Sequence, residues 1–293
     1  MKITRIAMLL LLGVLLVFLL PVPMATADDV VNIPDPNLEA GIRKDIGKPV
    51  GDIYESDLLG LTVLYAWYGD ITDLNGLEYC TNLEGLYLRD SQIGDISPLS
   101  SLTSLTLLGL SNSQIGDISP LSSLTSLTQL YLVDNQISDI SPLSSLTSLK
   151  ALSLIDNQIS DISPLSSLTS LAALTLVNNQ ISDISPLSGL ISLTTLYLID
   201  NQISDIEPLV DNPGLSSGDD VYLNGNPLST ASIDTYIPQL KARGVTVEYN
   251  ASTPPFWLWI VIGVTGSLLV LLVAVIYLRV FRKSTVKVDK KEE

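Results

Sequence analysis

A period of 22 residues governs the middle of this chain. The units LTSLTLLGLSNSQIGDISPLSS, LTSLTQLYLVDNQISDISPLSS, LTSLKALSLIDNQISDISPLSS and LTSLAALTLVNNQISDISPLSG begin at Leu102, Leu124, Leu146 and Leu168, and the next begins at Leu190. CTNLEGLYLRDSQIGDISPLSS at Cys80 keeps the frame, and LLGLTVLYAWYGDITDLNGLEY at Leu58 keeps it more loosely. Seven such units therefore occupy 58–211. A repeat this short cannot bury its own apolar residues and becomes stable only between copies of itself, so the chain must build a stacked array.

One unit shows how. From Leu124, the residues Leu130 and Leu132 alternate with Gln129, Tyr131 and Val133, the period of two of a strand with one buried face. Leu127, Ile137, Ile140 and Leu143 turn inward as the chain returns through ISPLSS. Ser141 and Pro142 there suit a short 3₁₀ turn, since the segment is too brief for a full helix. Asn135, Asn157, Asn179 and Asn201 recur where each strand turns away and are placed to satisfy backbone groups; Ser91 and Ser113 stand in for them in two earlier units and predict a looser turn. The LxxLxLxxNxI pattern places the array in the leucine-rich class. The expected fold is thus α/β, a right-handed leucine-rich-repeat solenoid with a parallel β-sheet on its concave face and 3₁₀ turns on its convex face, capped at both ends, plus one transmembrane helix.

The caps lie at 28–57 and 212–250. DPNLEAGIRKDIG reads as a helix with Asp35 as N-cap, Pro36 in the first turn and Gly47 as the stop. After the last unit, VYLNGNPL keeps a strand core in a divergent repeat, IDTYIPQLKARG reads as a closing helix, and VTVEY reads as a strand.

Beyond the caps the chain becomes apolar. Residues 1–27 carry Lys2 and Arg5, an apolar run from Ile6 to Leu20 and the small-residue ending Ala25, Thr26, Ala27, the pattern of a cleaved signal peptide. A linker at 251–255 leads to an uncharged run from Phe256 to Leu278, long enough to span a bilayer. The basic residues Arg279, Arg282 and Lys283 follow it and place the tail, 279–293, on the cytoplasmic side, with the repeats outside. Asn250, Ala251 and Ser252 form a glycosylation sequon beside the span.

Charge and chemistry narrow the function. Between Asp28 and Pro255 there are 28 acidic and seven basic residues, a net charge of −21, which repels nucleic acid and favours a basic partner or simply solubility. The chain has no histidine, so the usual general base is missing. Cys80 is the only cysteine and shares its repeat position with Leu102 and Leu124, so it reads as core rather than nucleophile. Asp73, Asp95, Asp117, Asp139, Asp161, Asp183 and Asp205 recur before each return leg; they read as turn caps, with calcium bridging along the row as the alternative. No catalytic site and no cofactor is expected.

The run from NIPDPNLEAGIRKDIG through GDITDLNGLEY and every NQISDISPL unit resembles the internalin-type leucine-rich-repeat surface proteins of bacteria, over about 200 of the 293 residues. The resemblance implies a protein-binding or adhesive role. The chain differs from that family in its apolar anchor, where a wall-linking signal would stand.

Differences between units point to a binding face. SSLTS recurs at Ser100, Ser122, Ser144 and Ser166, whereas the strands read TLLGLSN, TQLYLVD, KALSLID, AALTLVN and TTLYLID. The variable residues lie on the concave side. Tyr65, Tyr87, Tyr131, Tyr197 and Tyr222 share one column; Trp67, Arg89, Val133, Ile155, Val177 and Ile199 share the next, bordered by Asp90, Asp134, Asp156 and Asp200. Exposed aromatic rings beside an aliphatic strip fit a protein ligand.

Overall fold

The computed structural model describes residues 28–66, 70–89 and 91–249. Nine parallel strands form one sheet in chain order: β1 Val63–Ala66, β2 Gly85–Arg89, β3 Leu107–Ser111, β4 Gln129–Tyr131, β5 Ala151–Ser153, β6 Ala173–Thr175, β7 Thr195–Tyr197, β8 Asp220–Tyr222 and β9 Thr246–Glu248. Each crossover between strands is one return leg. At about 4.8 Å per step, eight steps give a sheet about 38 Å long.

Register follows the repeat. Leu86 pairs with Leu108, Leu108 with Leu130 and Leu130 with Leu152, so the inward leucines stack in one line. In the unit from Leu124, the side chains Leu124, Leu127, Leu130, Leu132, Ile137, Ile140 and Leu143 are all buried. Each removes roughly 2 kcal/mol worth of apolar surface from water, and only because a copy lies above and below it. The return legs are 3₁₀ turns, Ser97–Ser101 in the unit from Cys80 and Ser119–Ser123 in the next, with proline in the first turn where no N–H is needed. In the last unit the leg, again of five residues, becomes an α-helical turn, Glu207–Asp211.

Turns between strand and return leg are held by the asparagines. Oδ1 of Asn157 accepts the Ile137 N–H at 3.0 Å, and its Nδ2 donates to the carbonyls of Leu132 at 2.9 Å, Ile155 at 3.1 Å and Leu154 at 3.2 Å. One side chain thus ties together backbone groups of two units and is the partner of the Ile137 N–H and the Leu132 carbonyl, which would otherwise be buried unpaired. Ser91 reaches only its own unit's Arg89 carbonyl at 3.3 Å, and Ser113 Oγ is buried without a partner. The two units with serine are also two whose strands run to five residues.

On the far side the aspartates cap. Asp117 Oδ1 accepts the Ser119 N–H at 2.8 Å and its Oδ2 the Ser119 hydroxyl at 3.0 Å, and the same pair recurs at Asp95, Asp139, Asp161 and Asp183. These hydrogen bonds hold the Asp117 carboxyl below the usual carboxylate range. Among the described residues, no group of three or more carboxylates, cysteines or histidines is arranged to hold a metal ion.

The N-terminal cap helix, Pro36–Ile46, ends at Gly47 in the left-handed region, with Asp35 as its N-cap, as the residues foretell. Asp35 does more than cap. Its Oδ1 accepts from the N–H groups of Asn37 and Leu38, while Oδ2 accepts the Thr72 N–H at 2.8 Å, fastening the helix to the first repeat. Burial pushes this carboxyl up, but the backbone N–H groups of Thr72, Leu38, Asn37 and Asp73 outweigh it and hold it below its ordinary value of 3.8. A depressed carboxylate contributes stability that is present above the unfolded pKa and lost as pH falls through the folded one. Asp35→Ala is expected to cost about 1–2 kcal/mol at neutral pH and less in acid, read from denaturant midpoints at both.

The closing segment departs from a plain helix. Ser232–Tyr236 forms a π-helical turn and Ile237–Ala242 an α-helix, the change falling where Pro238 removes a backbone donor. No described helix is long and apolar enough to cross a membrane; the expected signal peptide at 1–27, the span at 256–278 and the tail lie outside the described residues.

Candidate functional site

Alternation along each strand sends every second side chain to the sheet face that the core does not use. Register lines these up as expected: Tyr65 opposite Tyr87, then Gly109, Tyr131, Ser153, Thr175, Tyr197, Tyr222 and Glu248. Four of the five tyrosines therefore form two pairs, and Tyr131 stands between them flanked by Gly109 and Ser153. At one end, Tyr65 and Tyr87 stack with centroids 5.3 Å apart. At the other, Tyr197 and Tyr222 stack at 4.4 Å, nearly parallel.

Gly109 explains how Tyr87 sits. A Cβ at Gly109 would meet the Tyr87 ring at 2.5 Å, so the ring lies across the neighbouring strand in space that only glycine leaves open. Burial pushes the Tyr87 hydroxyl well above its usual range, with Tyr131 and Tyr65 adding to it. Tyr131 donates from its hydroxyl to Gln129 Oε1 at 2.9 Å and is only 6% exposed.

Here the expectation of an exposed strip needs correction. Tyr65 is open to solvent at 49%, and Tyr87, Arg89, Val133, Tyr197 and Tyr222 are half-buried. Ile155 and Ile199, by contrast, are buried together with Val177 as a second small cluster, with Val133, Tyr197 and Tyr222 packed against it. Side chains in adjacent parallel strands stand too close for β-branched groups and rings to leave gaps, so they cover one another before any ligand arrives. Trp67 and Asp90 lie outside the described residues.

The row bordering the strip has a backbone origin. Asn112, Asp134, Asp156, Asn178 and Asp200 all have φ between 53° and 56°, and Gly225 has φ 72° in the next unit. Asparagine, aspartate and glycine tolerate this left-handed conformation best, which is why the row contains nothing else among the described residues. Burial raises the Asp156 carboxyl, the Asn178 amide partly offsets this by donating to it, and Asp134 and Asp200 raise it further. Burial likewise raises Asp200.

Sequence reading missed Asp220 and Glu248, which bring carboxylates beside the Tyr197–Tyr222 pair. The spacing hid them: Tyr222 pairs with Glu248 across 26 residues, outside the 22-residue frame. The paired serines that open SSLTS are exposed, and they also make hydrogen bonds. Ser145 Oγ donates to the Ser122 carbonyl at 2.7 Å and Ser144 Oγ to that of Ser141 at 2.8 Å, so their constancy serves links within and between units. Cys80 is fully buried in the leucine column, and burial, with Glu78 adding to it, pushes its thiol up to about 12. A thiol so placed stays protonated at neutral pH.

The family profile for leucine-rich repeats in two copies matches overlapping windows from residues 81–123 to 169–211. Two solved internalins of Listeria monocytogenes share this structure. Internalin C2 (inlC2) is 37% identical with a TM-score of 0.70, over 77% of this chain and 99% of its own. The chain belongs to the internalin-type leucine-rich-repeat family. A second internalin (inlF) is 35% identical with a TM-score of 0.69, over 79% of this chain and 68% of its own. No curated protein matches the chain. Leucine-rich-repeat domains of this internalin type generally recognise proteins, and such modules are typically not enzymes.

Proposed function

We propose that this internalin-type chain is a cell-surface recognition module, held to the membrane by residues 256–278 with its repeats outside, that binds a protein through the concave sheet face. The observation that carries the reading is the pair of tyrosine stacks on a sheet face covered by no other described element, Tyr65 with Tyr87 and Tyr197 with Tyr222. Stacked rings present large, rigid contact area at low entropic cost, which is what interface anchors supply. Val133 lies between the two stacks and Arg89 follows Tyr87 on the strand of the first, both half-buried. The buried residues Ile155, Ile199 and Tyr131 set the shape of the floor. Trp67, 22 residues before Arg89, is assigned to the face from the repeat spacing alone. Adhesion is the role that such a surface would serve on an anchored solenoid.

A spacer that only coats the surface is the competing reading, favoured by the acidity of the repeats. One experiment separates them. Protease added to intact cells is expected to release the repeats up to about Pro255 and to spare the tail, and the released solenoid is expected to retain a protein partner that a Tyr197→Ala, Tyr222→Ala form retains about 30-fold less well. Protection of the repeats would overturn the topology; equal retention by both forms would leave the spacer.

A further inference from the structure

Charge on the sheet face is one-sided. The outward positions of the nine strands and of the residues that directly follow them carry a single described cation, Arg89. Asp220 and Glu248 lie among those positions, and Asp134, Asp156 and Asp200 border them. The ion pairs described elsewhere, Arg43 with Glu39 and Lys48 with Asp57, belong to the N-terminal cap and do not involve this row.

Backbone geometry does not demand these charges. Asn112 and Asn178 hold the same left-handed conformation as Asp134, Asp156 and Asp200, with φ within 3° of one another, so asparagine would serve the turn equally well. At a strand spacing of about 4.8 Å, neighbouring carboxylates repel each other, and their presence costs the free protein stability. From this excess of uncompensated negative charge beside the tyrosine stacks, we infer that the partner is a basic protein segment, whose lysine or arginine side chains meet the Asp134, Asp156 and Asp200 row while its apolar parts rest on the rings. The inference rests on the concave-face reading above. A second copy of this chain would bring the same acidic row to itself, and acidic partners are repelled. Crowding of Asp156 by Asp134 and Asp200 is what an incoming cation relieves.

The test uses the full-length chain and three labelled 12-residue peptides in which threonine alternates with lysine, glutamine or glutamate. The lysine peptide is expected to bind and the glutamate peptide not to. Asp134→Asn with Asp156→Asn and Asp200→Asn should weaken the lysine peptide about tenfold, the sum of three modest ion pairs. Asp139→Asn with Asp161→Asn and Asp183→Asn removes equal charge from the opposite side, where the amide oxygen can still cap the turn, and should change affinity less than about twofold. Equal weakening by both triples, or lysine binding no tighter than glutamine binding, would overturn the inference. Loss of glutamine-peptide binding in Tyr197→Ala with Tyr222→Ala, alongside no effect of the sheet-face aspartate triple, would keep the recognition face and discard its basic partner.

Discussion

Excision of one whole unit, 124–145, leaves a folded solenoid, whereas excision of 124–134 does not. After the first deletion Leu108 of β3 meets Leu152 of β5 in the register that Leu130 held, and Ser123 joins Leu146 as it joined Leu124. Nearest-neighbour contacts are restored, so the loss is one unit's share of stability. After the second, β4 with Leu130 and Leu132 is gone while the return leg from Asn135 onward remains, so Leu108 and Leu152 lose the strand between them and the leucine line is exposed on both sides. Circular dichroism and thermal melting read the difference: a cooperative melt shifted by several degrees for the 22-residue deletion, and no cooperative melt for the shorter one. Similar damage from both would remove the repeat frame on which the fold rests.

Asn157→Ala is expected to cost about 3 kcal/mol, more than any exposed substitution on the array, because it strands a buried N–H at Ile137 and the carbonyl of Leu132 together. Asn157→Ser should cost less, since the chain already carries serine at this position in two units, though Ser113 finds no partner there. Urea midpoints of the two variants give the comparison. A loss below about 1 kcal/mol for alanine would mean that water satisfies the turn as well as the amide does.

How far the sequence leads is clearest in the columns. A constant spacing of 22 fixes which residues share a line on the sheet, and Tyr65, Tyr87, Tyr131, Tyr197 and Tyr222 do share one. The period of two says which face a side chain takes, but it is silent about packing within that face. Ile155, Ile199 and Tyr131 therefore read as exposed and prove to be buried by their own neighbours. The aspartates of the row were visible as a pattern; its asparagine members and its cause, a left-handed backbone, need coordinates. Beyond Tyr197 the insertion before β8 breaks the frame, so Glu248 beside Tyr222 could not be read from spacing. The serine links of the return legs were hidden for another reason: a polar side chain facing solvent looks idle until its acceptor in the preceding unit is seen.

Recognition through the sheet face requires the partner to meet that side of the solenoid and not the turn side. A photoreactive phenylalanine analogue placed at Tyr65 or Thr175 on the sheet face, and at Ser122 or Ser166 on the turn side, answers this on cells that display the chain. Irradiation in the presence of the partner is expected to yield a covalent adduct from the two sheet-face positions and none from the two turn-side positions. Adducts from Ser122 and Ser166 without any from Tyr65 and Thr175 would contradict it.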